Sequence, residues 1–195
     1  MVKILVERTP NPNALKFMVN SKIKEGKSCE FKEDEDSPSP LVNALLNLEG
    51  VVEIYLSDNY LSIMKKELSE WSNMESKIVK IIENNIESHD PNFEKRIETL
   101  SKDWDDEKRK EIEKIDLILD HTVRPALNVD GGDLEIIDYA ENVLTINYVG
   151  ACNNCPSAIM GTLRGIEEIL RHEYDPKISL KVMNDNGEDN DFFID

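Results

Sequence analysis

Cysteine is scarce in this chain of 195 residues: only Cys29, Cys152 and Cys155 occur, and an odd number cannot make an even disulfide framework. That scarcity points to a reducing compartment. Long apolar runs are missing too. None nears the ~20 residues a membrane-spanning helix needs. The opening Met1-Val2-Lys3-Ile4-Leu5-Val6-Glu7 meets charge too soon for a secretory hydrophobic region, and no Arg-rich, acid-poor presequence precedes the rest. A cytoplasmic protein is expected. Basic charge is also short, with 23 Lys and Arg against 40 Asp and Glu and a net charge of −17. Such a field repels phosphate backbones and anionic lipid, so neither nucleic acid nor membrane is an expected partner. The three histidines, His89, His121 and His172, share no spacing with a nucleophile, and no functional role is expected of them.

What remains is a chain of 39% hydrophobic and 32% charged residues, the mixture of a globular protein with a polar surface. Residues 2–6 alternate weakly, as an edge strand does. Thr9-Pro10-Asn11-Pro12-Asn13 is a loop, since two prolines restrict themselves and the residues before them. Ala14-Leu15-Lys16-Phe17-Met18-Val19 resumes a strand pattern. Residues 30–40, acidic and containing Ser37-Pro38 and Ser39-Pro40, read as an exposed loop. Pro40 suits the first position of a short helix that Gly50 stops. Residues 51–56 and 60–64 form a hairpin. A helix follows, in which Trp71, Met74, Ile78, Ile82 and Ile86 recur at spacings of three and four. This completes a first α+β domain over residues 1–88. Residues 89–108 are charged and poor in aliphatics, as a linker is.

A second domain is expected over residues 109–183. Ile112, Ile115, Leu119, Val123 and Ala126 lie on one helical face, and Asn128 to Asp133 breaks the helix. Residues 134–139 and 143–149 make two strands about a turn at Glu141-Asn142, with Leu144, Ile146 and Tyr148 on one face. Ile159, Leu163, Ile166 and Leu170 mark another amphipathic helix, and residues 178–182 a last strand. The order α-β-β-α-β suits a three-stranded sheet with both helices on one face, so the fold class is α+β in two small domains. Residues 184–195 form an acidic tail, expected to be mostly disordered.

Between the second strand and the second helix stands Gly150-Ala151-Cys152-Asn153-Asn154-Cys155-Pro156-Ser157. Thiolates bind soft metals. Pro156 fits the first helical position and places Cys155 near the cap, where the helix dipole and open N–H groups favour thiolate. The small neighbours leave room for a bulky inorganic guest. Three chemistries fit. An iron–sulfur cluster prefers four thiolates, so two chains could share one. Zinc also wants four ligands, but His172 lies over ~20 Å along the helix at ~1.5 Å per residue, a poor third ligand. A thioredoxin-like dithiol also opens a helix, though in a different topology and with other flanking residues.

Val129-Asp130-Gly131-Gly132-Asp133, then a hairpin, then the cysteine motif and an amphipathic helix, resembles the C-terminal domain of the NifU-like (Nfu) proteins over roughly residues 109–183. Thr9-Pro10-Asn11-Pro12-Asn13-Ala14-Leu15-Lys16-Phe17, with the unit to about residue 88, is similar to the Nfu-type N-terminal domain. The cysteine-rich scaffold domain and ferredoxin-like domain of full-length nitrogen-fixation NifU have no counterpart here. The resemblance implies a carrier or scaffold, not an enzyme, that binds a [4Fe–4S] cluster through Cys152 and Cys155. On this reading the cluster is shared between two chains, which form a homodimer on binding it. Expected partners are cluster donor or assembly proteins and apo iron–sulfur clients. The alternative is a dithiol–disulfide oxidoreductase using the same two cysteines.

Elsewhere the expectations are plain. Cys29 has no partner thiol nearby and reads as a bystander. Asp130-Gly131-Gly132-Asp133 reads as a glycine turn joining helix to strand, and Gly161 and Gly165 as sites of close approach to the sheet. Residues 9–17 read first as a rigid loop feeding a strand, and second as a docking surface for a client.

Overall fold

The computed structural model describes residues 2–95, 104–153, 161–183 and the backbone of 189–190. It divides into two compact units, one ending at Ile97 and the other beginning at Glu98.

In the first unit, five antiparallel strands are ordered β1-β2-β5-β4-β3. They are β1 Ile4–Arg8, β2 Ala14–Val19, β3 Lys24–Lys32, β4 Val51–Asp58 and β5 Tyr60–Lys65. Two helices, α1 Pro40–Leu46 and α2 Trp71–Asn85, cover one face, followed by a 3-10 turn Ile86–Ser88. Ser39 caps α1 by accepting from the Val42 N–H, and Pro40 sits at its start, as the sequence predicts. Leu15, Phe17, Ile54, Leu56, Leu61 and Ile63 point inward from the sheet, and Met74, Ile78 and Ile82 meet them from α2. Each fully buried aliphatic there contributes about 2 kcal/mol through area removed from water.

Two differences from expectation have physical causes. The sequence Lys24-Glu25-Gly26-Lys27-Ser28-Cys29-Glu30-Phe31-Lys32 forms β3, although it carries almost no apolar pattern. It lies at a sheet edge, where only one neighbour constrains it, and Phe31 alone is fully buried. The residues that follow form the expected exposed loop, with Glu33 to Asp36 and Pro38 exposed and Ser37 and Ser39 tucked in. Residues 89–95 also fold onto this unit. His89 donates from Nε2 to the Ile23 carbonyl and pairs through Nδ1 with Ser39 Oγ, Phe93 joins the core, and Lys95 reaches the Glu30 carbonyl.

The second unit runs α3 Asp106–Thr122, α4 Arg124–Val129, β6 Gly132–Ala140, β7 Val143–Gly150, α5 Leu163–Glu173, β8 Ser179–Met183 and β9 Asp189–Asn190. β6 and β7 form a hairpin turned by Glu141 (φ 52°) and Asn142 (φ 62°), and β8 runs parallel to β7. Leu144, Ile146 and Tyr148 alternate onto the face that packs against Ile112, Ile115, Leu119, Ile166 and Leu170 of the helices. The expected three-stranded sheet with helices on one face is therefore present. β9 adds a two-residue fourth strand beside β8, within the segment expected as a tail.

The first helix breaks earlier than the sequence pattern suggested. Pro125 has no N–H to continue the ladder, so α3 ends at Thr122 and α4 restarts at Arg124. Arg124 then binds three carboxylates, Asp116, Asp120 and Asp133, tying both helices to the first residues of β6. Burial opposes its charge, but the carboxylates outweigh it and hold the guanidinium above its ordinary pKa.

Candidate functional site

The cysteine loop rests on a pair of glycines placed opposite each other by the hairpin register. Gly132 pairs with Gly150 at the open end of β6 and β7. Gly131 (φ 86°) and Gly150 (φ 64°) adopt the left-handed conformation that side chains resist, turning the chain into β6 and out of β7. The Ala151 N–H donates to the Gly131 carbonyl at 3.1 Å, and the Asn153 N–H closes a turn onto Gly150 at 3.0 Å. Cys152 is thereby pressed against Gly132. A Cβ on Gly132 would lie 2.5 Å from Cys152 Sγ and 2.6 Å from its backbone nitrogen. Asp130 to Asp133 is the expected turn from helix to strand, and it is also the floor beneath the cysteine. The close approach expected at Gly161 and Gly165 is absent, for a Cβ at either would meet nothing within 4 Å.

Cys152 is 4% exposed, sharing a core with Tyr148 and Leu163, so its thiol is sheltered and not exposed at an edge. Cys155, with Asn154 before it and Pro156 to Met160 after it, lies outside the described residues, as does the expected helix start at Pro156. The described helix begins at Leu163. His172, the poor third zinc ligand, is exposed near the end of α5 and pairs with Glu173. Among the described residues no group of three or more His, Cys, Asp or Glu is placed to hold a metal ion.

Tyr148 is the neighbour that sequence reasoning noted only as a core residue. It is 3% exposed, yet its hydroxyl is buried with no hydrogen-bond partner among the described residues. Burial, then the nearby Cys152 sulfur, push its pKa well above the ordinary value, and Thr162 pulls the other way. The signal was available in the alternation of β7, which puts residue 148 on the buried face two positions before Gly150.

Cys29 is different. On edge strand β3, paired with Leu56, it is half-buried, and burial pushes its thiol up to about 11 against the pull of Lys24 and Lys95. Burial thus disfavours its thiolate, the form that binds metal. The loop of residues 9–13 is tied down by its own bonds. Thr9 Oγ1 donates to the Asn11 carbonyl, Trp71 Nε1 to the Pro12 carbonyl and Lys65 Nζ to Asn13 Oδ1. Its rigidity has a structural basis.

Residues 4–89 match the family model described as the scaffold protein Nfu/NifU N-terminal domain, and residues 115–181 match the NifU-like domain. This chain belongs to the Nfu family. The Nfu relatives include the protein named NFU1 iron-sulfur cluster scaffold homolog, mitochondrial, of Drosophila persimilis, 28% identical over 90% of this chain and 62% of that protein. Its counterpart in Drosophila grimshawi is 27% identical over 90% of this chain and 59% of its own length. The chain thus spans about three fifths of the length of these curated relatives. A solution structure of a NifU-like protein from Saccharomyces cerevisiae aligns with 23% identity and a TM-score of 0.43, over 49% of this chain and 87% of that one.

Proposed function

We propose that this Nfu chain is an iron–sulfur cluster carrier, a binding protein and not an enzyme, whose cargo is held by the thiolates of Cys152 and Cys155. The observation that carries the reading is the seat of Cys152: a glycine floor with no room for a side chain, and in the same core a buried hydroxyl with no partner among the described residues. Names given to the Drosophila relatives support the same class of cargo.

Two thiolates per chain make half of the four that a cluster prefers. Two chains supply the full set, and a [4Fe–4S] cluster bridging a homodimer is the cargo we propose. Because no single chain surrounds it, incoming client thiolates can replace protein thiolates one at a time, and the cluster passes to an apo-protein by ligand exchange. Donor or assembly proteins would load it by the reverse order. In the metal-free chain Cys152 is sheltered, so loading includes a step that brings its sulfur to the cargo. The N-terminal unit is proposed to engage clients, and the acidic surface to favour basic partners. The reading needs a reducing compartment; we propose the cytoplasm, and subcellular fractionation tests this against the mitochondrial location in the relatives' names.

Anaerobic reconstitution with iron and sulfide tests the proposal. Broad visible absorption, lost in Cys152→Ala and in Cys155→Ala and passed on to an apo iron–sulfur protein, is the expected result. A colourless protein that catalytically reduces disulfides would instead establish the dithiol enzyme.

A further inference from the structure

Tyr148 presents a feature that fold stability does not explain. The β7 alternation that buries Leu144 and Ile146 also carries the Tyr148 ring inward, and its register partner Leu134 closes one side. A phenol so buried usually finds an acceptor, because leaving it unmade costs about 1–3 kcal/mol. Here the hydroxyl finds none among the described residues, and Cys152 lies in the same buried cluster. A phenylalanine would fill the same space without that cost. The hydroxyl thus keeps a donor to spare beside Cys152.

We infer that Tyr148 is a positioning residue for the cargo: its hydroxyl donates a hydrogen bond to the Cys152 sulfur when that sulfur is a cluster-bound thiolate. The acceptor is then anionic, which makes the bond stronger than one between neutral groups. Such a bond fixes the orientation of the sulfur and withdraws charge from it. Hydrogen bonds to ligand sulfurs are one of the levers that set cluster potential, and a donor favours the reduced, more negative cluster. The assignment rests on the cluster-carrying reading above and adds to it a residue that tunes how the cargo is held.

The test uses the full chain and Tyr148→Phe, with Thr162→Val beside it. Each is measured metal-free by denaturant unfolding and, after reconstitution with iron and sulfide, by spectroscopic redox titration. In Tyr148→Phe the reduced-to-oxidised ratio at fixed poise should fall about tenfold, equivalent to about 59 mV for one electron. The metal-free chain should be as stable as the parent or more so, and Thr162→Val should leave the potential in place. An unchanged potential in Tyr148→Phe overturns the inference. So does a lowered potential accompanied by loss of metal-free stability matching that of Thr162→Val, since the hydroxyl then serves Thr162. A parent chain that takes up no cluster overturns the carrier reading itself, whereas a loaded chain indifferent to Tyr148 overturns this assignment alone.

Discussion

Cys29 and Cys152 each sit in an α+β unit with its own core, yet the two units surround their thiols differently. Around Cys29 the first unit offers an edge strand, an apolar partner in Leu56 and a partly buried position that keeps the sulfur protonated. Around Cys152 the second unit offers two left-handed glycines, a turn that fixes the loop and a buried hydroxyl awaiting an acceptor. In the first unit, polar groups near the surface loops find protein partners, as Trp71, Lys65 and His89 show. The contrast teaches that a cysteine's chemistry is set by what the backbone leaves open beside it. Two thiols of the same residue type, in one chain, sit in different surroundings.

The largest expected effect separates the two cysteines directly. Cys152→Ala should abolish cluster uptake measured by visible absorption and iron content, while Cys29→Ala should retain it in full. Equal loss in both variants would erase the distinction.

Nearly as large is the effect of Gly132→Ala. Its Cβ would overlap both the sulfur and the backbone nitrogen of Cys152, so the loop must shift. Overpacking of this kind costs about 1–3 kcal/mol. Denaturant unfolding should show that loss, and reconstitution should show most of the cluster gone. Gly165→Ala, where open space waits, should leave cluster uptake in place.

Cys29 should also couple pH to stability. The pKa of Cys29 is raised from 9.0 to about 11 by folding. Between those values the unfolded chain has released the proton and the folded chain still holds it, so stability falls as pH rises through that window and is intact below it. Allowing for partial exposure, the term is about 2 kcal/mol. Unfolding curves of the parent and Cys29→Val at a series of pH values from neutral to alkaline check it; the variant should lose stability less steeply.

Of similar size is the effect of Arg124→Met, which leaves Asp133 with less countercharge. The Arg124 side chain is 17% exposed and two of its three acidic partners are about half-exposed, so a loss of about 2 kcal/mol is expected, between buried and surface pairs. Hydrogen exchange should place that loss in residues 104–183 and spare the first unit.

Much of this contrast could be read in the sequence, and what could not has a common cause. Periodicity found α2, α3 and the β6–β7 hairpin because their apolar residues recur at the period of their element. Proline at position 40 and the Glu141-Asn142 pair fixed a helix start and a turn through local backbone preferences alone. β3 is not legible because an edge strand needs little apolar pattern, and the break at Val123 is masked by an apolar stripe that continues through Pro125 to Leu127. The cysteine motif was legible as chemistry. Its floor was not, because Gly132 and Cys152 lie 20 positions apart and meet only through strand register. Tyr148 was placed correctly on the buried face, but a face pattern does not reveal whether a hydroxyl has a partner.

Native mass spectrometry of the anaerobically reconstituted full chain tests the central claim most directly. Two chains carrying a single cluster, about four irons and four sulfides between them, with no such species from Cys152→Ala, is the result predicted. A cluster retained on single chains, or the same two-chain species formed by Cys152→Ala, would contradict it.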